Sequence, residues 1–446
     1  MQEKYGLQEE PATATIEKVV AQKRVGIATV TSRLKNEMHL RAKWVIADKE
    51  KFTVLLSDLK DYNDGLEQLF PPVRLASLQR TWTNQLLQKA GDLAELDLLE
   101  SASSGVYPRL NASANLKQLR ISLDAKPAAK FKPTVALKIP RGSLSIADID
   151  QRRSRGSYQN PSTTSTEDVL LEWTDYDKDD FDARFNQTRR VDDLARIMCS
   201  ASERHPDLHT INCLGYTDDS ASSRYGIVYK APHTSSSTLH SLISNNDLRT
   251  PDLSDRFKLA HTLAVALWSL HSLDWLHKSV ASSNVLFFPS AFSAAATRAT
   301  AVAASIPDIS SPYLLGFDTS RPDSMGELSV ASKTCATTDL HRHPNSLNGM
   351  SRKPYCRSYD IYSLGLVLLE IGLWKALDIY HRPHYSVEKF RDRVVNQNLV
   401  PNLGSKTGKI YREVVARCLA ARDDLTVQQS NQLMEFVVSS LESLHV

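Results

Sequence analysis

The chain has 446 residues, 41% hydrophobic and 24% charged, an ordinary globular composition with room for two or three domains; it is neither disordered nor membrane-embedded in character. Lys and Arg number 54 against 51 Asp and Glu, and a formal charge of +3 is too small to point to a nucleic-acid partner. The five cysteines, Cys199, Cys213, Cys335, Cys356 and Cys418, are widely spaced with no CxxC pair, which argues against a disulfide framework or a zinc site and for reduced thiols in an intracellular compartment.

The first ten residues, MQEKYGLQEE, are charged and lack the apolar core of a secretory signal. No run reaches the roughly 18 apolar residues that a membrane-spanning helix needs. Residues 1 to 37 are polar, with a helix expected from Ile16 onward. Leu40, Trp44, Phe52, Leu55, Leu59, Tyr62, Leu66 and Leu69 then recur every three or four positions, with one longer gap. That spacing predicts a long amphipathic helix, stopped by Pro71 and Pro72. Leu75, Leu78, Trp82, Leu86, Leu93, Leu96 and Leu99 predict a second helix, packed antiparallel to the first across the short Pro-Pro junction. The bland reading is a hairpin whose stripes are core. Two helices bury little surface, so the region needs a further helix or another partner. Residues 1–125 are expected to form an all-α partial bundle.

Residues 126–160 change character. Lys126, Lys130, Lys132, Lys138, Arg141, Arg152, Arg153 and Arg155 stand against Asp148 and Asp150, and prolines interrupt them. The segment reads as a solvated basic linker with one short strand; weak contact with anionic lipid is the alternative. From residue 161 strands come first: 169–174, then, after a helix at 189–201, HTINCLGYT and SRYGIVYKA. Helices follow at 255–273, 359–373, 409–423 and 425–444, so a small sheet-containing lobe should precede a helical lobe in an α+β domain. Residues 291–308 and 320–355 read as loose connections.

Three motifs fall in order within the helical part: WLHKSVASSNVLFF at 275–288, YLLGFDTSRP at 313–322 and YDIYSLGLVLLEIG at 359–372. Together they resemble the protein kinase fold. His277 and Asn284 match the His and Asn of the catalytic loop, seven residues apart. Gly316-Phe317-Asp318 stands where the Asp-Phe-Gly triplet would be, and Asp360, Tyr362, Ser363 and Gly365 match the start of the central helix. Cys418-Leu419 resembles the Cys-Leu pair of the penultimate helix. The resemblance implies a two-lobed domain over 161–446, with Asp360 tying the catalytic loop to the central helix and Gly365 structural beside it.

The same alignment removes the chemistry. Phosphoryl transfer needs a carboxylate to orient the hydroxyl nucleophile, and oxygen ligands to hold magnesium. Ser279 replaces that carboxylate, Lys278 replaces the Arg and Ala281 the phosphate-contacting Lys. Gly316 offers a metal no side chain, and Asp318 comes two residues late. Asn284 with no carboxylate beside it would be a poor site for a hard cation. No G-x-G-x-x-G occurs between 130 and 170, and Glu172 falls where the nucleotide-binding Lys is expected. Asp192 or Asp193 is the candidate for that lysine's partner. His277, Ser279 and Asn284 therefore form a degenerate catalytic loop, with His277 and Asn284 read as braces. Tyr229, Asn284, Gly316 and Asp318 outline a degenerate cleft, which the strand Tyr225–Tyr229 either lines or fills. No metal ligand and no cofactor are assigned; ATP with magnesium is the alternative.

Residues 41–71, with Trp44, Lys49, Phe52, Leu59 and the Leu66–Pro71 run, resemble the late helices of the fungal HeLo domain of prion-inhibition and propagation proteins. The similarity spans about 15–120, as if the chain started inside that domain. It implies a role in fungal heterokaryon incompatibility or regulated cell death. The expected function is a catalytically inactive kinase-like signalling or scaffold protein. The alternatives are an ATP-binding kinase with an unorthodox site, in which Asp318 or an acidic residue of 320–355 enters, and a membrane-perturbing effector. The N-terminal helices are expected to bind a protein partner, to self-associate, or to dock on the kinase-like lobe. The expected location is cytoplasmic, with membrane association as the alternative.

Overall fold

The structure, a computed structural model, describes residues 49–68, 72–125, 131–147, 152–161, 165–289, 306–323, 340–347, 354–382 and 384–444. The chain divides into two compact units, 1–79 and 80–446. The first contains α1 (Lys49–Gln68) and the start of α2 (Pro72–Lys89). On α1 the helical spacing holds, and Leu55, Leu59 and Tyr62 are exposed. Leu40, Trp44 and the helix expected from Ile16 lie outside the described residues.

In the second unit, the helix expected over 75–99 is two helices. Gly91 ends the first, and the Asp92 side chain caps α3 (Leu93–Ser103) by accepting the N–H of Glu95 at 2.8 Å. The third helix, α4 (Pro108–Asp124), has Pro at its first position. It closes a small core of Leu87, Ala90, Leu96, Leu110 and Ala114 with its neighbours. It covers Leu96 of the second expected stripe together with Leu87.

Five antiparallel strands follow: β1 (Leu144–Ile146), β2 (Arg153–Gln159), β3 (Thr166–Asp175), β4 (Cys213–Asp219) and β5 (Arg224–Lys230), in the order β1-β2-β3-β5-β4. The stretch read as a basic linker with one strand thus supplies two strands and extends the sheet to an edge. Alternation along β3 sends Val169, Leu171 and Trp173 to one face and Leu170 and Glu172 to the other. The long helix α5 (Phe181–Arg204), capped by Asp180, covers the Leu170 face with Val191, Leu194, Ala195 and Met198.

The helical part comprises α6 (Leu239–Ser244), α7 (Leu253–Ser272), α8 (Arg357–Leu373), α9 (Val400–Leu419) and α10 (Val427–Glu442). Short strands link it: β6 (Ser237–Thr238), β7 (Trp275–Leu276), β8 (Val285–Phe287), β9 (Tyr313–Leu314) and β10 (Arg321–Pro322). They pair as β6-β8-β9 and β10-β7. Helix α8 is buried along its whole length, as its nearly continuous apolar sequence demands. Sheet first and helices afterwards make an α+β unit. Most of 291–308 lies outside the described residues. The described parts of 320–355 are packed rather than loose: the His343 ring stacks on Tyr359 at 4.4 Å, and His341 Nε2 lies 2.8 Å from Glu370.

Candidate functional site

The site is built on one buried carboxylate. Asp360, in the first turn of α8, accepts the backbone N–H groups of His277 and Lys278 and the hydroxyl of Tyr355, each at 2.8 Å. His271 Nε2 stands 3.3 Å away. Burial alone would raise the Asp360 carboxyl. The hydrogen bond and charge of His271, with His277 and Tyr355, outweigh it and hold the group below its ordinary range. The loop between β7 and β8 is thereby fixed to the central helix. Within it, His277 Nδ1 accepts the N–H of Ser279 at 3.2 Å, and its ring lies 4.7 Å from Phe317. Complete burial lowers its pKa to about 4, so the imidazole is neutral at physiological pH.

Asn284 closes the loop by donating from Nδ2 to the carbonyl and, at 2.8 Å, the hydroxyl of Ser279. Its Oδ1 accepts from Arg153 at the start of β2. Arg153 also donates to the Ser283 carbonyl at 2.7 Å and pairs with Glu172 at 2.9 Å, directly across the β2–β3 ladder. Glu172 in turn accepts the Gly316 N–H at 2.9 Å and the Tyr229 hydroxyl at 3.2 Å. Gly316 has φ 90°, and a Cβ there would lie 2.5 Å from Asn284 Nδ2, so glycine alone fits. Asp318 takes Arg152 at 2.7 Å.

Seven sequence-predicted residues therefore meet: Tyr229, His277, Ser279, Asn284, Gly316, Asp318 and Asp360. Gly365 lies apart, where a Cβ would come 2.7 Å from Cys418 Cβ at the crossing of α8 and α9. Asp192 is not in the site; it accepts the backbone N–H and hydroxyl of Thr134 at 2.7 and 2.9 Å. Asp193 faces Arg189 at 3.7 Å. Neither partners a group in the cleft. Sequence reasoning missed Arg152 and Arg153, which look like linker charges. The signal that finds them is the cross-strand register of Arg153 on Glu172.

The oxygen atoms that a divalent cation would use, those of Asn284, Glu172 and Asp318, are each taken by an arginine. Among the described residues no three His, Cys, Asp or Glu side chains converge as metal ligands. Beyond the arginines a hollow of about 170 Å³ remains between Gly156, Val169, Ala231, His233 and Phe288. Arg155 reaches across to the Ser236 carbonyl at 3.0 Å and its hydroxyl at 2.8 Å. Tyr229 does not line this hollow. It is fully buried, filling the cleft from within.

A family model described as a domain of unknown function, DUF7580, matches residues 162–439. The chain belongs to this family. A second model, HeLo, described as prion-inhibition and propagation, matches residues 1–99. No curated protein matches the chain. The DUF7580 match contains Glu172, Tyr229, the 277–284 loop, Gly316, Asp318 and Asp360, while Arg152 and Arg153 stand just before it. The HeLo match ends inside α3, short of the residue 120 to which the resemblance was read.

Proposed function

We propose that residues 161–446 form a kinase-like signalling or scaffold module that does not transfer phosphate. Joined to the HeLo-matching region, it would act in a response of the fungal incompatibility or regulated cell-death kind. The order of the three motifs, the sheet-then-helix layout and the hold of Asp360 on the 277–284 loop support the kinase-like reading. The observation that carries the inactive reading is Arg153. Its guanidinium ties Asn284 to Glu172, where a magnesium–nucleotide would need free oxygens. Ser279 and Gly316 supply no carboxylate in their place.

The test is a thermal-shift titration of the full chain with ATP, with and without magnesium or manganese, beside a phosphate-incorporation assay. The expected result is no metal-dependent shift and no incorporation above a Ser279→Ala control. Incorporation that Asn284→Ala abolishes would overturn the reading and make Asp318 the metal ligand.

For the N-terminal part, the proposal is contact with a protein, through self-association or a partner, with anionic membrane contact weaker. The exposed Leu55, Leu59 and Tyr62 support it, as does a polar face carrying both signs in Lys60 and Asp61. Leu59→Asp should reduce self-association or partner capture. Liposome leakage that the same change removes would favour the membrane effector instead. Among the described residues no helix is long and apolar enough to cross a membrane.

A further inference from the structure

A cavity of about 720 Å³ lies away from the arginine-paired site. It is a groove between α4 and α5. One wall is a single face of α5, where Ala183, Gln187, Leu194 and Ile197 recur at helical spacing. Leu123 of α4 forms part of the other wall, and Trp275 and Pro322 floor it. Its volume falls within the roughly 300–1,000 Å³ of ligand-binding clefts.

The charges select the occupant. Four arginines line the groove, and each is engaged inside the protein. Arg120 pairs with Asp124 and Asp274, and Arg189 pairs with Asp193. Arg190 holds the Ser320 carbonyl, and Arg321 holds those of Pro322 and Tyr355. At the mouth, Asp175 and Asp177 are exposed and form no ion pair among the described residues. The Gln187 amide nitrogen on the α5 wall is buried with no hydrogen-bond partner, a donor suited to a backbone carbonyl. Apolar patches among internally paired charges, a spare amide donor and a negative mouth describe a complement to a short peptide.

We propose that the α4–α5 groove docks a peptide segment of a partner protein, with an aliphatic or aromatic side chain resting against Tyr176, Ala183 and Pro322, the apolar lining that reaches the surface, and a neighbouring Lys or Arg at Asp175 and Asp177. The proposal is independent of whether the paired cleft is active.

The experiment probes the full chain with an array of random hexapeptides and remeasures the strongest binders by fluorescence anisotropy at two salt concentrations. Bound peptides should be enriched in an apolar residue close to Lys or Arg and depleted in Asp and Glu. Asp175→Asn with Asp177→Asn should weaken them about tenfold and flatten the salt dependence, as removal of rim charges does. Ala183→Trp, at an exposed helix position on the wall, should abolish binding while circular dichroism stays unchanged. No enrichment, enrichment in acidic peptides, or binding indifferent to Ala183→Trp overturns the proposal. Self-association of the chain that Ala183→Trp abolishes overturns it too, since the occupant would then be a second copy.

Discussion

At position 316 the backbone is left-handed and the space for a side chain is already filled by the Asn284 amide. Placing an aspartate there should therefore fail. Gly316→Asp is expected to cost about 2–3 kcal/mol through backbone strain and the displaced amide, read as a lower urea midpoint, with no gain in ATP-dependent stabilisation. An unchanged midpoint would show that Asn284 yields freely. A second residue-scale effect concerns the buried imidazoles. Burial lowers His277 and His205 from 6.5 to about 4, so the unfolded chain protonates them first as pH falls. Stability is complete above pH 6.5 and is lost progressively towards pH 4, at roughly 1.4 kcal/mol per unit for each group. Asp193, raised to about 6 by burial, acts in the opposite direction, gaining stability over pH 6 to 4 as it protonates in the fold first. With two groups against one, urea midpoints should fall between pH 6.5 and 4.5, and His205→Gln should flatten that slope. The residues local to the motifs, His277, Asn284, Gly316 and Asp360, could be picked out because each motif is short and flanked by apolar residues. Arg153 was not, because its role depends on a strand pairing that places it opposite a residue 19 positions later.

Among the elements, α8 could be read directly from its apolar run, while α5 begins at Phe181, eight residues before the expected start at 189. The break at Gly91 and Asp92 escaped because Leu93, Leu96 and Leu99 continue the spacing across it; the cap, not the stripe, marks the boundary. Strand β2 escaped for another reason. Only Ser154 in it is buried, receiving the Trp173 indole N–H at 2.8 Å, and polar cross-strand pairs hold the strand in place of an apolar alternation. Helix α4 is attached in a comparably polar way. Lys117, only 1% exposed, meets Asp274 at 3.0 Å, and Arg120 and Arg357 converge on the same carboxylate at 3.1 and 2.8 Å. Asp274→Ala should be among the most damaging single changes, about 3–5 kcal/mol, because it strands a buried ammonium. Lys117→Met in that background should regain part of the loss in chemical denaturation. If the double variant were no more stable than the single one, the buried charge would not be the cause.

At the scale of the whole chain, composition suggests boundaries at 125 and 160, and side-chain contacts run across both. Ser113 of α4 bonds His205 at 2.8 Å, Arg109 pairs with Asp207 at 3.5 Å, and Lys117 and Arg120 hold Asp274. Strands β1 and β2 bring Arg152 and Arg153 to Asp318 and Glu172. A fragment of residues 80–446 keeps all of these contacts and should unfold in one cooperative transition close to that of the same region in the full chain. A fragment of residues 161–446, the domain that the motifs and the family match both outline, lacks α1 to α4 and strands β1 and β2. It leaves Glu172 without Arg153, takes Lys117 and Arg120 from Asp274 while Arg357 stays, and strips the α4 side of α5. Such a fragment should lose its sharp thermal transition and bind hydrophobic dyes, because a buried carboxylate without its partner and a bared apolar face both favour opening. Equal, sharp transitions for the two fragments would mean that the helices and strands before residue 161 rest on the domain without stabilising it.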